Sequence, residues 1–160
     1  MDGLQQFEIY IEAQKNVAIQ FILIGVVLIV TALLLHLWGK GELSAGLRIG
    51  ALVCGCLILV GGIVYRNTEA NLLKSTTDQK SPAEFKQQET ERMEKVVRDY
   101  PVYQFVFGGF IILSLLIVCF VKAPFWHGVA FSVISLFVLV MIAEAYSHQS
   151  IKTYFENLTA

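Results

Sequence analysis

Glu144 is the residue whose type and position first suggest chemistry, because it is the only acidic side chain inside any of the chain's four long apolar runs. A carboxylate in hydrocarbon is costly unless it finds a partner, water or a proton. It lies about one helical turn from the end of its run. There it serves either as an ion, proton or gating site, or as a carboxylate that reaches the interface and pairs with Arg66 or with His148 at i+4. The second reading is favoured, since a proton pathway needs further acidic or basic groups at mid-run and the sequence offers none. Gln20 and Gln104, at the starts of the first and third runs, complete the set of candidate intramembrane polar residues with Glu144, Arg66 and His148.

Other reactive residue types do not assemble into known chemistry. Cys54-Gly55-Cys56 has a spacing of two, which turns the thiols to different helix faces, so it reads as packing rather than as a redox pair. His36 and His127 fall near the far ends of their runs beside Trp38 and Trp126, and two histidines fall short of the three or four ligands of a metal site. Phosphate loops, nucleophile elbows and zinc signatures are absent from the sequence. The reading is a non-enzyme with no metal and no cofactor. A net charge of −1 supplies no concentrated basic face for nucleic acid.

The elements that hold these residues are spans. Of 160 residues, 56% are hydrophobic, and the excess is gathered in blocks. Runs over about 16–37, 46–65, 102–121 and 128–146 each approach the roughly 20 apolar residues that a helix needs to cross about 30 Å of hydrocarbon. The first is too long, and too acidic in its flank, for a cleaved signal. The expected fold is an all-α integral membrane four-helix bundle of two hairpins, a single membrane domain over 1–160. Nine Lys and Arg flank one side of the spans against three, Lys40, Arg48 and Lys122, on the other. This bias places both termini and the 66–101 segment in the cytoplasm.

Within 66–101, Ser81-Pro82-Ala83-Glu84 has the form of a helix start, and Phe85, Met93, Val96, Val97 and Tyr100 recur at near-helical spacing after it. A cytoplasmic amphipathic helix over about 82–100 is expected, with Phe85, Met93, Val96 and Tyr100 as a candidate partner-binding face. Pro101 either kinks it into the third span or restarts a helix there. Leu4 to Ala13 is expected to form a short helix at the membrane surface. A shift of 84 residues superposes Gln20-Phe21 on Gln104-Phe105 and Gly25 on Gly109, the sign of a possible parallel duplication. Gly46, Gly50, Gly55, Gly61, Gly62, Gly108 and Gly109 are read as helix-packing positions, with the second span central and a homo-oligomer contact as an alternative use.

Glu91-Arg92-Met93, Val96-Val97, Tyr100 and Tyr103, followed by a span, a short turn, a span and Ala143-Glu144-Ala145-Tyr146 with Tyr154 and Leu158, resemble a pattern of small four-span bacterial inner-membrane proteins. The architecture is similar to that of immunity proteins for pore-forming type VI secretion effectors. The resemblance covers chiefly residues 85–158 and carries no catalytic residues. It implies an inner-membrane binding protein that neutralises a membrane-inserting toxin, with lipid and the effector as partners. The alternatives from the sequence are a small transporter or channel with Glu144 and Gln104 at its inner mouth, and a scaffold recruiting a soluble partner through 66–100.

Overall fold

The computed structural model describes the backbone of residues 3–77 and 82–159, and side chains over 5–72 and 84–159. Four α-helices account for nearly all of it: α1 (Gly3–Trp38), α2 (Gly41–Thr77), α3 (Pro82–Phe120) and α4 (Pro124–Thr159). Each is long and apolar enough to cross a membrane. Apolar surroundings favour this solution because a helix satisfies its backbone hydrogen bonds internally. The α1–α2 turn is tight, with Gly41 at φ 85° in the left-handed region that glycine adopts without strain.

At about 1.5 Å per residue these helices are each more than 50 Å long, well beyond about 30 Å of hydrocarbon. The surplus lies at one end. The start of α1, the end of α2, the start of α3 and the end of α4 meet there and pack Phe7, Ile11, Phe85, Met93, Ile151 and Leu158 into one core, with Leu72 against it. We call this the polar end. Two expectations are corrected here, and one pair of alternatives is narrowed. Residues 4–13 continue into α1 instead of lying as a separate surface helix, because Phe7, Tyr10 and Ile11 have a core to enter. At Pro101 the helix is continuous and does not restart, although proline removes the donor that would reach the carbonyl of Val97. Phe85 and Met93 are buried within the chain, so they do not form a free binding face; Val96 and Tyr100 are half-buried. An amphipathic stripe looks the same whether it packs on its own chain or on a partner. Ser81, expected to cap α3, lies outside the described residues.

Glycine decides how the apolar halves pack. A Cβ at Gly55 would stand 3.0 Å from the Gly25 carbonyl oxygen and 2.8 Å from Ile29 Cγ1, and one at Gly62 would stand 3.1 Å from the Ala18 carbonyl oxygen. α1 and α2 therefore touch at backbone distance. On the other side of α2, a Cβ at Gly50 would be 2.8 Å from Ser132 Oγ, and Gly46 and Gly128 are pressed together against the backbone of the facing helix. Ser132 Oγ, within hydrogen-bond distance of the Leu47 carbonyl (3.0 Å) and the Gly128 carbonyl (3.2 Å), adds a polar tie between α2 and α4.

α2 is thus sandwiched, but α4 is the helix that packs on all three others. α3 packs substantially on α4 alone, through contacts such as the Phe110–Phe137 stack at 4.9 Å. Gly61, Gly108 and Gly109 do not pack as the sequence suggested, because a Cβ there meets open space. Introducing Gly55→Leu is expected to cost about 1–3 kcal/mol by overpacking, while Gly61→Leu leaves stability near wild type. Thermal unfolding of both variants in detergent checks the contrast, and equal loss in both would refute this account of α1–α2 packing.

Candidate functional site

Burial in α1 follows a repeat of alternating four- and three-residue steps: Phe7, Ile11, Gln14, Ala18, Phe21, Gly25, Leu28 and Ala32. Gln14 is the single polar member of that stripe and is fully buried. Its Oε1 accepts hydrogen bonds from the Tyr65 hydroxyl (2.8 Å) and the Ser147 hydroxyl (2.9 Å), which joins α1, α2 and α4 through one atom. Gln14 Nε2 has no partner among the described residues. The sequence carried no signal for it, because the exposed Leu23, Val26, Val27 and Val30 of the same helix are as apolar as the buried stripe; only the packing shows that a polar group at this position is a buried hydrogen-bond site.

Toward the polar end lies a ring of aromatic and charged groups. Tyr10 and Tyr154 stack at 4.5 Å, and Arg92 stands 5.5 Å above the Tyr10 ring while bonding both oxygens of Glu89 at 2.6 and 2.9 Å. Glu69, on the stretch of α2 beyond its apolar run, is 7% exposed, and its Oε2 is enclosed with no hydrogen-bond partner among the described residues. Burial raises the Glu69 carboxyl above its ordinary range, with the Arg92 guanidinium opposing that effect. Burial also pushes the Tyr10 phenol up to about 12.

These groups open onto a lateral groove of about 710 Å³ between α2 and α3, floored by α4. Its polar end carries Glu69, Arg92, Lys95 and Asp99; Glu144 follows with Tyr65 and Tyr100; its far part is apolar, with Leu57, Ile58, Phe107, Leu136 and Phe137. The groove exists because glycine draws α2 toward α1 and α4 while α3 stays on α4 alone.

The residues expected to carry chemistry are distributed as follows. Glu144 is half-buried on the groove wall, and among the described residues neither Arg66 nor His148 is ion-paired to it. Arg66 is exposed, and the His148 ring instead stacks on Tyr100 at 3.8 Å. The flat aromatic face competed successfully for the imidazole. Gln104 donates to the Tyr100 hydroxyl at 2.8 Å, and Gln20 is exposed. His36 and His127 do not meet. Arg48 lies 3.1 Å from His36 Nδ1, and His127 Nε2 bonds the Val121 carbonyl. Cys54 is buried whereas Cys56 and Cys119 face outward, all as free thiols. No cluster of three or more potential metal ligands occurs among the described residues.

The fold and site together define a class, a multi-pass membrane-type four-helix bundle with a lateral groove. No family model, no curated protein and no solved structure matches the chain.

Replacing Gln14 by Ala leaves the buried Ser147 hydroxyl and the half-buried Tyr65 hydroxyl without their acceptor and is expected to cost about 1–3 kcal/mol, read as a lowered unfolding midpoint in detergent. Glu69 gives a pH signature. A carboxyl whose folded pKa is raised binds its proton more tightly in the folded state. Its contribution is therefore present below the unfolded value of about 4.3 and is lost as pH rises through the folded value. Glu69→Gln is expected to match wild type near pH 4 and to exceed its stability at pH 8. A constant difference across that range would contradict the burial of a charged carboxylate.

Proposed function

We propose that the chain is a non-enzymatic bacterial inner-membrane protein that acts by binding, an immunity protein that engages the membrane-inserting helices of a toxin and prevents pore formation. Its termini and polar end lie in the cytoplasm on this reading. The observation that carries it is the outer face of α3. Only 6% of the most apolar stretch of α3 is buried, against 28–33% in the other helices. Phe105, Gly109, Ile112, Leu116 and Phe120 fall on one side of that helix at steps of four and three, all exposed. Two aromatic ends and a glycine notch suit an incoming helix, since association in lipid relies on close packing at small residues.

Two competing readings have less support. The polar groups of the groove are gathered at one end, which favours recognition over a transport path. A scaffold recruiting through residues 66–100 loses its binding face to the core that buries Phe85 and Met93.

Co-expression with a membrane-inserting toxin encoded beside this chain is expected to restore growth. Gly109→Trp, placed where nothing lies within 4 Å of a new Cβ, is expected to abolish rescue at unchanged membrane abundance. Failure of the wild-type chain to rescue would remove the immunity reading. Full rescue by Gly109→Trp would remove the assigned face.

A further inference from the structure

The α2–α3 groove is a different surface from the outer face of α3, and its lining changes character along its length. From Glu69 back to Leu57 on α2 is 12 residues, about 18 Å at the helical rise. Half of the roughly 30 Å hydrocarbon thickness, one leaflet, is about 15 Å. The groove therefore matches one acyl chain in reach, with its apolar wall of Leu57, Ile58, Phe107 and Phe137 toward mid-span and its charged groups at the level where a headgroup sits. Its volume of about 710 Å³ lies within the about 300–1,000 Å³ common for ligand pockets in general.

The charges select the headgroup. Arg92 and Lys95 provide donors for a phosphate, although Arg92 already shares its charge with Glu89. Beside them stand the carboxyls of Glu69 and Asp99, so a purely anionic headgroup meets like charge while one bearing both signs meets complements. Glu69 adds a sharper requirement. Its carboxyl lines the groove and its Oε2 lacks a donor among the described residues, so a headgroup N–H that the side chain turns to meet relieves it. A primary ammonium supplies that hydrogen; a trimethylammonium carries the same charge and supplies none.

We propose that the groove is a binding site for one amine-bearing zwitterionic phospholipid, its phosphate at Arg92 and Lys95, its ammonium at Glu69, and an acyl chain along Leu57 to Phe137. Gly61 lies within the apolar stretch with open space where a side chain would go. A substitution there fills the chain slot without a clash, which separates loss of lipid from loss of fold.

The test uses the full chain, delipidated in detergent and offered phosphatidylethanolamine, phosphatidylcholine or phosphatidylglycerol of identical acyl composition. Retention is read by native mass spectrometry and by the shift in unfolding temperature. One phosphatidylethanolamine per chain is expected to be retained, about tenfold more tightly than either of the others, the effect of one charge-assisted hydrogen bond. Gly61→Leu is expected to lose retention of all three lipids while unfolding at the wild-type temperature without lipid. Glu69→Gln is expected to retain lipid but to lose the preference for phosphatidylethanolamine over phosphatidylcholine. Equal retention of the three headgroups by the wild-type chain, or retention undiminished in Gly61→Leu, overturns the proposal. Toxin rescue reports on the outer face of α3, so failure of either assignment is recognisable by itself.

Discussion

The approach of α2 to α1 and α4 at backbone distance is the constraint from which the rest of the architecture follows. Apolar side chains gain little from associating with one another in a medium as apolar as themselves, so helix association there draws on dispersion, hydrogen bonds and close fit. Glycine permits that fit by removing the Cβ that would hold the axes apart. Gly25, Gly55 and Gly62 serve one face of α2, and Gly46, Gly50 and Gly128 serve the other. A helix drawn tightly to two neighbours leaves no comparable surface for the third. α3 consequently rests on α4, and a groove remains between α2 and α3.

The polar end keeps α3 in the molecule. Beyond the apolar runs the helices continue as a bundle with a core of the ordinary water-soluble kind, in which Phe7 meets Phe85 edge-on at 5.3 Å and Met93 is fully buried. Burial of such residues out of water supplies a driving force that the apolar halves lack. The molecule is thereby divided between a cohesive polar end and an apolar half in which one helix is lightly held. Gln14 sits at the junction, where one buried oxygen ties α1, α2 and α4 together. A polar group in that position favours one register over others, because slippage would strand it without partners.

The same division shapes what the protein can do. The charged groups of the groove gather at its polar end, Glu144, Tyr65 and Tyr100 follow, and its far part is apolar. The fold presents two surfaces, an outward apolar face on α3 and a groove graded from charged to apolar. Both suit recognition within or beside a bilayer, one of a helix and the other of a lipid. Glu144 illustrates the shift of emphasis. In the sequence it is the sole acid within an apolar run; in the fold it is a half-buried wall residue among tyrosines.

The sequence by itself determined that four long helices form, where they turn, and that both termini and the middle segment lie at the same end, because uninterrupted apolar length and hairpin connectivity leave no other arrangement. It could not decide which of its glycines would pack: Gly61 and Gly62 are neighbours in the chain, yet one meets α1 and the other faces the groove, since one residue turns the helix by about 100°. Nor could it tell whether Phe85 and Met93 cover this chain or another, or that His148 would stack on Tyr100 in preference to pairing with Glu144. Those outcomes depend on which helix face meets which neighbour. That is a property of the assembled bundle, because side-chain spacing along one helix records a face but not what lies opposite it.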